Sequence, residues 1–465
     1  RRGRVFFSDM CVIKQVDQVL VYLVSDAICL VGNEAASKRL KELPAVIIGY
    51  MERHNRVGGE TESMRKDSQG KARLPWGDSV NMLWSVMRFL PLILPWLATC
   101  MGTAGAPFAL APFSAEVTVP IGHGMMGGLW KSKSIADPLY AKGVVLLGGE
   151  KPVVIVSVDW CEIRNESFDR WREALAKATG TTRERVLVSA IHQHEAPVTD
   201  LEAQRMLERR GLKGSICDLA FHERAVGRVV GAIKKSLKQP KPFTHVGLGQ
   251  AKVEKIASNR RYVLPDGKIS FGRGSASGRN VLAATAPEGT VDPWLKTISF
   301  WNGDQALVSL STYAVHPMSY YRTGEVSADF PGIARDKRQK ETPGCLQVYF
   351  SGASGNVTAG KYNSGERKNR AVLASRLHKA MKAAWENTRR RPLKEISFRN
   401  AKLRLKPRDH AGFTTRDFEA KLVKDANPWH QCLAAVGLSW RQRCERGQPV
   451  DVPVLDLGIA QMLLL

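Results

Sequence analysis

The stretch Val186-Leu187-Val188-Ser189-Ala190-Ile191-His192-Gln193-His194-Glu195-Ala196-Pro197 decides how this chain is read. Its first six residues form a short, mostly apolar run, which suits a strand buried on both faces. The polar residues that follow stand where such a strand ends. In α/β proteins, ligands and reacting groups gather at the carboxyl ends of strands. Histidines at i and i+2 on an extended chain point to the same side. His192 and His194 can therefore place two imidazoles at one metal ion, or one at a metal and one at a substrate. The plainer alternative is a pair of surface or capping histidines.

Working outward, the same strand-and-helix alternation runs through most of the chain. Residues 144–147 and 152–158 read as two strands joined by a glycine turn. Asn165 or Ser167 can cap a helix in which Phe168, Trp171 and Leu175 repeat at helical spacing, and Gly180 stops it. Residues 217–238 read as a second amphipathic helix. Residues 296–301 and 306–315 form a hairpin around Asn302-Gly303-Asp304. A strand over 345–350 and a long helix over 367–387 follow. Beyond a Pro- and Arg-rich joint at 389–392, a strand is expected over 396–405 and a helix over 413–423. No internal repeat is visible. The fold class is α/β: a large mixed-sheet domain with flanking helices, its polar motifs at the carboxyl ends of strands.

Three further clusters join the histidine pair. Val315-His316-Pro317-Met318-Ser319 ends one expected strand. A single histidine there is more often structural, but it brings a third imidazole to the strand ends. Ser351-Gly352-Ala353-Ser354-Gly355-Asn356-Val357-Thr358-Ala359-Gly360 follows the next strand. Its small residues allow close backbone approach and leave N–H donors free, and Ser354 and Thr358 offer hydroxyls. The plain reading is a flexible turn. Ser258-Asn259-Arg260-Arg261-Tyr262 lies in a segment without clear periodicity. Its guanidinium can bind a carboxylate or steady a developing oxyanion, or simply belong to a basic surface. The glycine-rich 271–278 run has no Walker lysine and is not read as a phosphate loop.

The chain has 465 residues and a formal charge of +25, with 44% hydrophobic and 24% charged residues. These values exclude a disordered, collagen-like or polytopic membrane chain. Met82 to Ala106 carries a positive residue, an apolar run over 89–98 and a small-x-small end, which describes a secretory signal peptide. Residues 1–81 are a doubtful leader, and an exported location follows. The expected organisation is 1–81, 82–106 (signal peptide), 107–390 (catalytic domain) and 391–465 (incomplete carboxyl-terminal part of that domain). Only +4 of the net charge falls in 1–106. The basic charge therefore belongs to an exported domain, where anionic lipid surfaces or wall polymers are the expected polyanions. No nucleic-acid partner is expected, because Lys and Arg are dispersed without interleaved aromatic platforms. Five cysteines follow residue 106, so at least one thiol is unpaired; Cys432 and Cys444 are open to pairing.

In chain order these clusters resemble the amino-terminal catalytic domain of the neutral/alkaline non-lysosomal ceramidase family. The similarity is collinear from about Phe113 onward. It includes Val117-Thr118-Val119-Pro120, Met125-Met126-Gly127-Gly128, Asp137-Pro138-Leu139-Tyr140-Ala141-Lys142, Asn259-Arg260-Arg261, Ser327-Ala328-Asp329-Phe330-Pro331-Gly332 and Gly355-Asn356-Val357-Thr358-Ala359-Gly360. The resemblance implies a zinc-dependent hydrolase of a linear amide, splitting ceramide into sphingosine and a fatty acid. It implies zinc ligation by His192 and His316. It puts His194 and Arg260 at the substrate, Thr358 where the family has its active-site serine, and Asn356 where it has aspartate. Asp329 is expected to line the substrate site. The partner is then an amide-containing lipid or other small amide, with an anionic membrane surface as a second. The family's later glutamate and tyrosine ligands have no counterpart up to Leu465, so a truncated or degenerate relative is expected. The alternative is a catalytically inactive ceramidase-fold protein that binds anionic envelope polymers or lipid surfaces.

Overall fold

The computed structural model describes residues 108–464, together with the backbone of two strands, Ile13–Val16 and Gln18–Leu23. The signal peptide expected over 82–106 lies outside the described residues.

Two five-stranded sheets carry the fold. In the first, β1 (Ala109–Glu116), β2 (Tyr140–Leu147) and β3 (Val153–Val158) form an antiparallel meander. Helix α1 (Asn165–Thr179) then returns the chain to β4 (Val186–Ala190), which runs parallel to β3. After α2 (Leu201–Glu208) and α3 (Leu219–Ser236), the pair Lys241–Pro242 closes the free edge of β1. The second sheet repeats this wiring. Strands β5 (His245–Lys252), β6 (Trp294–Asn302) and β7 (Gln305–Tyr313) form a meander. The short α4 (Val281–Thr285) lies between β5 and β6, and α5 (Asp329–Glu341) leads to β8 (Leu346–Ser351), parallel to β7. Helix α6 (Lys368–Glu386) leads to β9 (Arg389–Pro392), which closes the edge of β5. The duplication exists in topology only; nothing in the residues repeats.

Strand alternation explains how these sheets stack. Along β3, Val154 and Val156 join a core with Trp171 and Leu175 of α1 and with Phe221, Val226 and Val229 of α3. Val153 and Ile155 face the other way, into a core with Val246, Ile298, Phe300, Leu310, Val348 and Phe350 of the second sheet. Tyr349, between Val348 and Phe350, turns outward onto α5 and α6 with Phe330, Leu373, Leu377 and Met381. The result is four layers: helices, sheet, sheet, helices. Because both faces of the inner strands are covered, they read as continuous apolar runs. Two hydroxyls cross between the sheets: Ser157 Oγ donates to the Tyr349 carbonyl at 2.6 Å, and Ser351 Oγ to the Ile191 carbonyl at 2.5 Å.

The remaining chain adds β10 (Ser397–Leu403), α7 (Thr415–Lys424), α8 (Pro428–Glu445), β11 (Val450–Asp456) and β12 (Ala460–Leu464). Leu455, Met462 and Leu464 enter the inter-sheet core. Gln18–Leu23 runs parallel alongside β12. Leu422 of α7 and Cys432, Ala435 and Leu438 of α8 pack on Ala203, Met206 and Leu207 of α2.

Several expectations are corrected. Helix α1 has no side-chain cap at its start: the capping position falls on Arg164, and Asn165, in a left-handed conformation at φ +46°, donates its amide to Asp200 and Ser439. Gly180 ends the helix as expected, in a left-handed conformation at φ +67°. The 389–392 joint is a strand. Cys432 and Cys444 do not pair, and none of the five described cysteines forms a disulfide. Both lie on α8, and twelve residues of helix separate their Cα atoms by about 18 Å, far beyond disulfide reach. No described helix is long and apolar enough to cross a membrane.

Candidate metal and active site

The four clusters converge at one end of the sheets. Ser258–Asn259 pairs antiparallel with Val357–Thr358, and His316 makes a parallel bridge to Thr358. Thr358 thus sits between the segment that carries Arg260 and the one that carries His316. The Arg260 N–H donates to the Asn356 carbonyl at 2.9 Å, and the His316 N–H to the Val357 carbonyl at 3.1 Å.

The histidine pair arrives by a different route from the one its spacing suggests. The chain has left β4 at Ala190, and His192 adopts φ +74°, a left-handed conformation that is uncommon outside glycine. Such strain, of order 1–3 kcal/mol, is held only where the surroundings impose it. Here the His192 N–H donates to the Trp160 carbonyl at 3.0 Å, and its Nδ1 lies 3.1 Å from the Cys161 carbonyl. Gln193 donates to the Asp159 carbonyl. Glu195 accepts from Trp130 Nε1 and from the Thr323 backbone and hydroxyl, fastening the loop beyond.

The rings of His192, His194 and His316 meet edge to face, with centroids 5.4, 5.0 and 4.7 Å apart. Tyr321 closes on His194 at 5.5 Å. Both ring nitrogens of His194 and the Nδ1 of His316 are buried without a hydrogen-bond partner. Burial, helped by neighbouring positive charge that includes Arg260, holds both imidazoles well below the usual histidine range, so they stay neutral. Burial lowers the Arg260 guanidinium too. Orphaned buried nitrogens are costly unless something else takes them up. Neutral imidazoles with free lone pairs suit a cation.

Cys161 lies with them, immediately after β3. Its Sγ is 3.9 Å from His192 Nδ1, and donor atoms of Cys161, His192 and His194 all fall within 4.8 Å of one another. A metal ion fits this donor set. Glu162 Oε1 lies 3.8 Å from His192 Nδ1. Its burial would raise the carboxyl, but Arg164 and then His192 outweigh this and hold it below the usual value.

The remaining expected residues fall around this centre. Thr358 is fully buried, and its hydroxyl donates to Ser275 Oγ at 2.8 Å. Gly360 lets the loop close: a Cβ there would meet the Gly274 carbonyl at 1.8 Å. The glycines thus admit the 271–278 run, which carries Ser275, to the site's edge. Asn356 donates to Asn259 Oδ1 at 3.1 Å. Asp329 opens α5 and accepts from the Ser319 and Phe330 N–H groups, with Arg370 3.6 Å away. These bonds tie Asp329 to the loop that follows His316. Ser354 Oγ is buried without a partner. Cys161, Ser275 and Tyr321 carry no sequence signal of their own: they lie in three separate segments, outside any recognised spacing.

A four-layer helix–sheet–sheet–helix fold with buried imidazoles gathered at its strand ends defines the class. Solved structures give it a particular counterpart. A ceramidase complexed with C2 superposes at a TM-score of 0.55, with 16% identity, over 77% of this chain and 63% of that one. The neutral ceramidase of Pseudomonas aeruginosa superposes at 0.54, with 16% identity, over 77% of this chain and 62% of that one. The chain shares the fold of these ceramidases and spans under two thirds of their length. No family model and no curated protein matches the sequence.

Proposed function

We propose that this protein is the catalytic part of an exported zinc-dependent hydrolase of a linear amide, with a ceramide-like lipid amide as its substrate class. The observation that carries the reading is the convergence of three imidazoles, two of them, His194 and His316, neutral and with orphaned nitrogens. His192 and His316 would hold the zinc, with His194 beside them at the substrate. When bound, zinc supplies Lewis acidity for the amide carbonyl and lowers the pKa of a bound water.

The chain's own groups do the rest. Arg260, held beside the imidazoles by its bond to Asn356, offers positive charge to a carbonyl oxygen whose own charge grows during reaction. Thr358 presents a hydroxyl whose direction is set by Ser275. Burial keeps His194 and His316 unprotonated and limits competing water. Asn356, paired with Asn259, holds the Arg260 and Thr358 segments together.

The test is metal analysis of the dialysed protein alongside hydrolysis of a panel of N-acyl amides that includes ceramides. About one zinc per chain and release of fatty acid are expected. A folded protein without metal and without amidase activity would sink the reading. Retained zinc with no hydrolysis across the panel would favour a binding protein for anionic lipid or polymer surfaces.

A further inference from the structure

We infer that Cys161 is a direct protein ligand of the metal, so that the donor set of this chain is one thiolate and imidazoles rather than imidazoles alone. This rests on the zinc reading above and specifies how this particular chain completes its site.

The geometry carries it. Cys161 stands in the turn after β3, beside the turn after β4 that carries His192, and β3 and β4 are parallel neighbours. Their carboxyl ends therefore open side by side. The Cys161 N–H donates to the Pro197 carbonyl at 2.9 Å, and the Cys161 carbonyl lies 3.1 Å from His192 Nδ1, which fixes the Cys161 backbone against the histidine loop from both sides. The side chain is buried, with Sγ 3.9 Å from His192 Nδ1. Bond lengths of about 2.3 Å to sulfur and 2.0 Å to nitrogen at a tetrahedral angle put the two donors about 3.5 Å apart. His192 Nδ1 is turned to the Cys161 carbonyl, which leaves its Nε2 for the metal, as is common for metal-bound histidines, and donor atoms of Cys161 and His192 fall within 4.8 Å of each other. Three protein donors with one open position is also the usual count for a catalytic zinc. Ligation is a simple exchange: the sulfur–metal bond forms as the S–H bond breaks, and the proton leaves to solvent. No oxidant or reductant enters. Met126 Sδ, 3.4 Å from the same sulfur, adds a second soft atom at the edge of the site.

The test is spectroscopic, on the whole chain reloaded with cobalt(II), and by zinc-edge X-ray absorption on the zinc form. The wild type is expected to show intense near-ultraviolet thiolate-to-cobalt absorption and a zinc–sulfur distance of about 2.3 Å. Both signals vanish in Cys161→Ser and persist in Cys217→Ser, whose thiol is buried in another core. Cys161→Ser also binds zinc more than tenfold more weakly. A metal-loaded wild type with only nitrogen and oxygen neighbours overturns the Cys161 inference and leaves the zinc reading standing. A folded wild type that takes up neither metal overturns both. The wild-type measurements decide the matter even if Cys161→Ser fails to fold.

Discussion

His194 and His316 meet edge to face with ring centroids 4.7 Å apart, although one follows the fourth strand of the first sheet and the other the third strand of the second. The pair exists only because the sheets stack with their strand ends together. The Ser351-to-Ile191 hydrogen bond fixes that alignment within a few residues of both rings.

That convergence makes metal retention sensitive to either half. His192→Ala and His316→Ala are each expected to lose zinc and activity. Losing a direct ligand costs at least the roughly 10–100-fold in affinity that follows loss of an outer-sphere partner. His430→Ala, on an exposed helix start, keeps both. Plasma emission analysis after dialysis reads the result. Full zinc in His316→Ala would remove it from the ligand set.

Thr358 separates hydroxyl from shape. Thr358→Ser keeps the bond to Ser275 and should retain activity within a few-fold. Thr358→Val keeps the volume, removes the donor and leaves Ser275 without it, at about 1–3 kcal/mol. Zinc content should hold while kcat falls by more than tenfold. If the valine variant hydrolyses normally, the hydroxyl has no part in the reaction.

Arg335 of α5 reaches through the fold to Asp159, just after β3, with bidentate contacts of 2.6 and 3.0 Å, and both side chains are buried. Asp159 also accepts from the Tyr140 N–H, and its carbonyl receives Gln193. Arg335→Met strands a buried carboxylate and should cost about 3–5 kcal/mol in urea unfolding. A loss below about 1 kcal/mol would show that water reaches Asp159.

Acid stability is expected to depend on His123, away from the histidine cluster. Its Nδ1–H donates to the Gly124 carbonyl at 2.7 Å, and its Nε2 accepts from the Asp218 N–H at 3.1 Å, so only the neutral ring satisfies both. Burial holds its pKa at about 4. Above pH 6.5 the folded and unfolded chains bind no proton here, and stability is unaffected. Between 6.5 and about 4 only the unfolded chain takes one up, so stability falls as pH falls, by about 1.4 kcal/mol per unit. Asp200, pushed up to about 6 by burial, acts in the opposite sense, so the comparison must be against a variant. His123→Asn keeps the donor to Gly124 and should unfold with a shallower acid slope. Equal slopes would show that the folded chain protonates His123 freely.

Much of the frame was legible because strands buried on both faces are short apolar runs. The 186–191 run and the 296–315 hairpin are cases where local pattern and tertiary role agree. Strand β9 was not legible: Arg389-Arg390-Arg391-Pro392 is exposed, and only the open edge of β5 makes it a strand. Helix α8 carried a readable start, Asn427 capping before Pro428, that hydrophobic periodicity alone does not reveal.

The sequence by itself determined the α/β class, the strand ends where His192, His194 and His316 stand, and the small residues around Thr358. Each is local, set by apolar period or by the turn chemistry of a few neighbouring residues. Only the tertiary structure decided that two sheets of the same wiring stack face to face, that Ser275 orients Thr358, and that Cys161 joins the histidines. Those contacts link segments far apart in the chain. They arise from burying both faces of two sheets at once, and no spacing along one strand encodes them.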